Sequence, residues 1–88
     1  MFTVRIQSKS NDTFTDVKVL KLNAFDEAVA NKANELAKAN GLYCQLYIGH
    51  SDTVPNGYMS KQLEYNTVIW KANVLSTVDA LSALDSAF

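Results

Sequence analysis

Apolar and polar residues alternate at the start of the chain, where Phe2, Val4 and Ile6 occupy every second position. A period of two residues is typical of a strand with one buried face. The stretch 8–13 that follows is polar and rich in turn-forming residues. The pattern therefore predicts a first strand that leads into a hairpin connection.

The apolar pattern of the second predicted strand, over 14–22, changes phase along its length. Val17 and Val19 share one face, whereas Leu20 and Leu22 share the other. Either both faces are partly covered, or a β-bulge near Val19 and Leu20 shifts the register. We favour the bulge, because strands of edge hairpins often carry one.

Apolar residues then recur at helical spacing over 24–40, which predicts an amphipathic helix. The stripe consists of Phe25, Val29, Ala33 and Leu36, with Ala28 and Ala37 beside it. Asn23 is the expected N-cap, with Asp26 and Glu27 in the first turn, where the helix dipole favours acids. Gly41 is expected to end the helix in the left-handed conformation.

The third strand is predicted over 42–48 and again alternates. Leu42, Cys44, Leu46 and Ile48 point one way, and Tyr43, Gln45 and Tyr47 point the other way. Since the aliphatic row is expected to meet the helix, the two tyrosines are expected on the sheet face away from the helices. Residues 17–48 thus form a strand–helix–strand unit around which the rest of the chain is arranged.

The remainder of the chain predicts a long loop, a strand and a helix. Residues 49–64 lack a regular pattern, and Tyr65–Asn73 alternates like a strand. Ser76 and Asp79 have capping-box spacing before an apolar helix over 78–87. The order β-β-α-β-β-α predicts a single α+β domain over 1–88, with a four-stranded, mainly antiparallel sheet and two helices packed on one face.

Composition narrows the classes of partner. The formal net charge is −1, with eight basic and nine acidic residues, and this balance argues against a nucleic-acid partner, which favours a basic surface. The single cysteine excludes an intrachain disulfide, which favours a reducing cytoplasm. No signal-peptide pattern and no run long enough to span a membrane are present, so we expect a cytoplasmic protein without membrane contact.

The residues that could carry catalysis have simpler interpretations. His50, Ser51 and Asp52 are triad residue types, but sequence neighbours cannot point at one another as a triad requires, so a polar turn is expected. His50 is the only histidine, which leaves no metal-ligand spacing. Cys44 lies in the aliphatic row and is expected to be an inert thiol rather than a nucleophile. We expect no enzyme, cofactor, metal or catalytic residue.

The tyrosines are the more informative set. Tyr43 and Tyr47 are expected on one sheet face, joined by Tyr65 from the next strand and by Tyr58 from the loop. Such a set either packs beneath the 49–64 loop, anchors a protein interface, or stacks nucleic-acid bases. An oligomer could instead build a nucleotide pocket from this loop with Tyr58, His50 and Lys61.

The segment Leu22-Asn23-Ala24-Phe25-Asp26-Glu27-Ala28, in which a hairpin runs into an alanine- and glutamate-rich helix, resembles a form found in small bacteriophage-encoded proteins. Phage inhibitors of host RNA polymerase and anti-CRISPR proteins are similar over about 14–48. The resemblance implies a compact protein that binds and blocks a host or defence protein, and it implies no particular functional residues.

Together these patterns predict a non-enzymatic binding protein that blocks a host or defence protein in the host cytoplasm. The alternative is an oligomeric protein that binds or sequesters nucleotides. A homodimer is also expected, because the core is small and the C-terminal helix is apolar. Phe88 either closes the core or takes part in that dimer.

Overall fold

A computed structural model describes residues 1–49, 51–63 and 67–88. These residues form four strands and three helices. The strands are β1 (Phe2–Ser10), β2 (Thr13–Leu22), β3 (Tyr43–Ile48) and β4 (Ser60–Gln62). The helices are α1 (Glu27–Ala39), α2 (Thr67–Lys71) and α3 (Thr77–Ala87).

The four strands form one mixed sheet in the order β2-β1-β3-β4. β1 pairs antiparallel with both β2 and β3, whereas β3 and β4 are parallel. The first strand of the chain is therefore an inner strand of the sheet, and the α+β fold expected from the sequence is confirmed.

The hairpin between β1 and β2 is tighter than its polar connection predicts. Only Asn11 and Asp12 lie between the strands, with φ values of 50° and 66°. Two consecutive residues with positive φ are typical of a type I′ turn, which matches the twist of a hairpin. The expected β-bulge is also present, but it lies at Val17, because Ile6 pairs with Lys18 and Gln7 pairs with Asp16.

The core lies between one face of the sheet and the helices α1 and α3. Strands β1, β2 and β3 contribute aliphatic or aromatic side chains to it, and the two helices contribute mainly alanines, which let them approach the sheet closely. Its buried members are Phe2, Val4, Ile6, Leu20, Leu22, Val29, Ala30, Ala33, Ala37, Leu46, Ile48, Ala80 and Leu84. The expected packing of two helices on one face is thus confirmed.

The helix ends follow local capping rules, with one correction. Asp26, and not Asn23, is the N-cap of α1, since its side chain accepts a hydrogen bond from the Val29 amide at 3.2 Å. Ser76 caps α3 through the Asp79 amide at 3.2 Å, as expected. Gly41 follows α1 with φ +67°, also as expected.

The strand predicted over Tyr65–Asn73 is wrong in its described part, because Thr67–Lys71 is helical. The fourth strand is instead Ser60–Gln62, which lies within the predicted loop. The apolar residues around Ile69 fit either period over such a short stretch, and β4 has no apolar residue that would reveal it.

Helix α2 lies at the β2 edge on the side of the sheet opposite to α1 and α3. Lys21 alternates with the core residues Leu20 and Leu22, and its Nζ donates a hydrogen bond to the Trp70 carbonyl at 3.5 Å. Ile69 is 2% exposed although it is not part of the main core. Just beyond α2, Val74 forms a parallel bridge with Lys21.

Candidate functional site

The sheet face that points away from α1 and α3 carries polar side chains at its centre, and we call it the polar face. On β1 it displays Thr3, Arg5 and Gln7, which alternate with the core residues of that strand. Thr3 and Gln7 are buried, at 0% and 6% exposure. Buried polar groups usually have hydrogen-bond partners, and Gln7 finds them on both neighbouring strands. The Thr3 hydroxyl has no hydrogen-bond partner among the described residues.

The strongest of these contacts joins Arg5 to Asp16 of β2. Arg5 Nε donates to Asp16 Oδ1 at 2.5 Å, and Nη2 donates to Oδ2 at 3.0 Å. The side chains are only 12% and 22% exposed. The hydrogen bonds from Arg5 lower the pKa of Asp16, an effect that partial burial opposes. Because the bulge at Val17 brings Asp16 opposite Gln7, the carboxylate lies beside both Arg5 and Gln7.

The remaining polar groups continue the network across β1 to β3. Gln7 Nε2 donates to Asp16 Oδ1 at 3.0 Å, and Gln45 Nε2 donates to Gln7 Oε1 at 3.2 Å. The Tyr47 hydroxyl donates to Gln45 Oε1 at 3.2 Å, and it also interacts with Arg5. The network therefore satisfies and fixes side chains on three strands, which is a structural role.

Tyr47 and Tyr43 lie on the polar face as expected, but only Tyr43 is exposed. Tyr47 is 4% exposed and Tyr43 is 49% exposed. The expectation that Tyr47 offers a contact surface is therefore wrong, because its hydroxyl is engaged in the network. The alternation of the strand predicts the sheet face on which Tyr47 lies, but it does not predict how much of the side chain is buried.

Tyr43 forms an aromatic pair with Phe14 that spans β1. The ring centroids are 5.5 Å apart with an interplanar angle of 83°, an edge-to-face contact. Phe14 is 44% exposed, and Lys9 Nζ lies 5.6 Å from its ring centroid. We call Phe14 and Tyr43 the aromatic pair.

A groove runs along the outer edge of the sheet, between β2 and α2. It has a volume of about 510 Å³. One wall is β2 and the other is α2, and we call it the β2–α2 groove. Its main lining residues are Asp16, Val17, Lys18, Val19, Val68 and Lys71. Trp70, on the same short helix, is 66% exposed.

Tyr58 is directed to the helix side of the molecule. Its hydroxyl lies 2.8 Å from Asn31 Oδ1 and 3.3 Å from Glu27 Oε1, both on α1. Its ring packs edge-to-face on Phe25, with centroids 5.3 Å apart. Desolvation and the neighbouring Glu27 raise the pKa of this hydroxyl. Tyr58 thus fastens the loop before β4 to α1, and it does not join Tyr43 on the polar face as expected.

Lys61 lies on the opposite edge of the sheet from the β2–α2 groove. It is exposed on β4 and lines a smaller cavity of about 310 Å³ with Cys44 and Met59. Burial raises the pKa of the Cys44 thiol to about 11, in accord with the expected inert thiol. Met59 is 92% exposed.

The candidate site residues are therefore not brought together. Tyr43 lies on the polar face, Tyr58 packs on α1, and Lys61 lies on β4. His50 and Tyr65 lie outside the described residues, so their expected roles stay predictions. Asp52 accepts hydrogen bonds from the Gly49 amide at 3.2 Å and from the Met1 ammonium at 2.7 Å, which accords with a polar turn.

Sequence reasoning missed the partners that make the exposed surface. Phe14 lies at the start of the predicted strand 14–22, and its pairing with Tyr43 follows from a register that the bulge sets. Trp70 lies within the strand predicted over Tyr65–Asn73, whereas it is exposed on helix α2. The only available signal was the large size of both side chains in stretches without clear amphipathic phase.

Within residues 1–49, 51–63 and 67–88, no helix combines the length and apolar character that crossing a membrane requires. The same residues include no group of three or more histidine, cysteine, aspartate or glutamate side chains that could hold a metal ion. Comparisons with protein-family models, curated proteins and solved structures found no match for this chain.

Proposed function

We propose that the protein acts by binding another protein through the exposed aromatic residues beside the polar face. The observation that carries this proposal is the exposure of Phe14, Tyr43 and Trp70, at 44%, 49% and 66%. Aromatic residues with about half of their surface accessible are typical anchors of protein interfaces.

The underlying network supports the same use of this surface. The hydrogen bonds among Arg5, Asp16, Gln7 and Gln45 join the three strands on the same sheet face as the aromatic pair. A rigid support reduces the ordering cost of binding, so exposed side chains on it lose less entropy when a partner arrives.

The biological form of this proposal is a blocking protein. The resemblance of residues 14–48 to phage inhibitors and anti-CRISPR proteins supports a host or defence protein as the partner, in the host cytoplasm. The binding residues proposed from the structure differ from those expected from the sequence, since Tyr43 is retained, whereas Phe14 and Trp70 are new.

The nucleotide-sequestering alternative stays a prediction with no specific contact in its favour. It needs Tyr58 and Lys61 in one pocket with His50. The hydroxyl of Tyr58 instead lies within hydrogen-bond distance of Asn31 and Glu27 on α1. A thermal-shift screen of the intact chain against nucleotides tests it, and no shift with any nucleotide would weigh against it.

Partner capture with matched variants tests the binding proposal. A Phe14→Ser/Tyr43→Ser/Trp70→Ser variant is expected to lose at least about 10-fold of the captured partner, because each interface anchor contributes about 1–2 kcal/mol or more. The measurement is quantitative mass spectrometry of proteins retained from bacterial lysate by the immobilised chain.

Met59→Ser is the matched control, since Met59 is 92% exposed and lies next to β4, at the sheet edge opposite the β2–α2 groove. This variant is expected to retain the same partner. Circular dichroism should show that both variants fold. Equal capture by the triple variant and by the unmodified chain would refute the proposed surface.

A further inference from the structure

The β2–α2 groove lies along a part of the β2 edge where no further strand pairs among residues 1–49, 51–63 and 67–88. Four consecutive residues of β2, Asp16–Val19, line one wall, so side chains from both faces of the strand border it. Farther along the strand, Val74 and Leu75 already occupy the edge, since the Leu75 amide donates to the Lys21 carbonyl at 2.7 Å. The groove is the continuation of that edge, bordered by α2.

The bulge determines how a partner can use this edge. At Val17 the ladder shifts by one residue, and such a shift disfavours the addition of a regular strand. Val17 and Val68 are 43% and 44% exposed and supply apolar surface inside the groove. We therefore expect a partner to bind this edge by inserting side chains into the groove rather than by adding a strand through backbone hydrogen bonds.

The charge of the groove selects the kind of side chain. Lys18 and Lys71 both line it, and Lys21 lies at its end beside the Trp70 carbonyl. Among the described residues that line it, the one carboxylate is that of Asp16, which is already paired with Arg5 and accepts from Gln7. The described lining thus presents two lysine charges around an apolar floor, in a protein whose formal net charge is −1.

We propose that the β2–α2 groove binds an acidic peptide segment of the partner protein, with an apolar side chain inserted between β2 and α2 and carboxylates beside Lys18 and Lys71. This inference rests on the proposed function and specifies the chemistry of the partner. A second copy of the chain seated symmetrically would place the same lysines opposite one another, and such an arrangement is repulsive.

Titration of the intact, ¹⁵N-labelled chain with defined peptides tests the groove directly. The probe is a hexapeptide with leucine and phenylalanine at its centre and glutamate or aspartate on both sides. The control peptides replace the acids with lysine, or the central pair with serine. Amide shifts at Val17–Val19 and Val68–Ala72 with the acidic, apolar peptide alone are expected.

The matched variants separate local charge from total charge. Lys18→Glu/Lys71→Glu is expected to weaken peptide binding about 10-fold or more, because two attractive contacts with the acidic peptide become repulsive. Lys38→Glu/Lys61→Glu makes the same change in net charge on α1 and β4 and is expected to change affinity less than about 2-fold. Melting curves should confirm that both variants fold.

Three results would overturn the groove proposal: equal binding of the basic peptide, shifts confined to Phe14 and Tyr43, or tighter binding of a single-stranded oligothymidylate than of the acidic peptide. If no peptide binds while partner capture still depends on Phe14, Tyr43 and Trp70, the groove proposal fails and the proposed function stands. If peptides bind the groove but partner capture does not depend on Phe14, Tyr43 and Trp70, the groove proposal stands and the proposal that these aromatic residues bind the partner fails.

Discussion

Arg5 and Asp16 form an ion pair that is mostly shielded from water on a sheet face with no apolar centre. Both partners keep additional contacts, since Gln7 donates a hydrogen bond to Asp16 and Arg5 interacts electrostatically with Tyr47. A partly buried pair stabilises a protein mainly because the loss of one partner leaves the other charge unsatisfied. The pair therefore belongs to the framework of the polar face, beneath the residues proposed to bind.

The variant Asp16→Asn is expected to lower the free energy of unfolding by about 2 kcal/mol at neutral pH, because Arg5 loses its carboxylate. The pKa of Asp16 is lowered in the folded protein, so this stabilisation is present above its unfolded value of about 3.9 and is lost as the pH falls through the folded value. The difference between the two proteins should therefore shrink below about pH 4.

Urea titrations between neutral and acidic pH measure this difference. Asp12→Asn is the control, since the Asp12 side chain is 99% exposed, and it is expected to change stability by less than about 0.5 kcal/mol. A gap between Asp16→Asn and the unmodified chain that stays constant into acid would show that the ion pair contributes nothing to stability.

At the scale of elements, the sequence predicts those whose signals are local and fails for those held by distant contacts. Strands β1 and β3 and helices α1 and α3 each have a clear period or cap. Strand β4 is three exposed polar residues, held by pairing with β3 and followed by the Leu63 amide bonding the Ile48 carbonyl at 2.5 Å. No periodic pattern can reveal such a strand.

The N-cap of α1 shows a finer version of the same limit. Asn23 and Asp26 are three residues apart, and both residue types are good N-caps. The structure favours Asp26, which also accepts a hydrogen bond from the Thr77 hydroxyl at the start of α3. A contact between residues 51 positions apart decides the start of the helix and cannot be read from its local sequence.

Asp26→Ala is expected to lower the free energy of unfolding by about 1–2 kcal/mol, because it removes the cap and the contact with Thr77. Asn23→Ala, the alternative start, is expected to cost less than about 0.5 kcal/mol, since Asn23 is exposed. Chemical denaturation followed by circular dichroism compares them. A larger loss of stability for Asn23→Ala than for Asp26→Ala would show that Asn23 is the N-cap.

At the scale of the whole molecule, the candidate site was predictable only in part. Alternation predicts that Tyr43 lies on the face away from the helices, and the small net charge favours a protein partner over a nucleic acid. The aromatic pair depends on the register across β1, and the β2–α2 groove depends on α2, which was predicted as a strand. Both are products of tertiary contacts that a single sequence does not display.

Self-association stays a prediction at this scale, and α3 provides its test. The helix docks through Ala80 and Leu84, which are buried, while Val78 is 75% exposed. We expect a weak dimer in sedimentation equilibrium at high micromolar concentration, and Val78→Glu should shift it to monomer without loss of stability. A monomer for the unmodified chain throughout that range would remove the dimer.

The inner position of β1 also determines when the sheet can assemble. Its pairing with β2 closes across a two-residue turn, whereas Phe2 must wait for Ile48, 46 residues later, to receive its second neighbour. Because closing a long loop costs more entropy than closing a turn, the hairpin should form early and the docking of β3 should limit the folding rate. Until β3 docks, β1 is paired with β2 along one edge only. During this interval a chaperone or another unfolded chain could bind the apolar residues and the unpaired edge of β1.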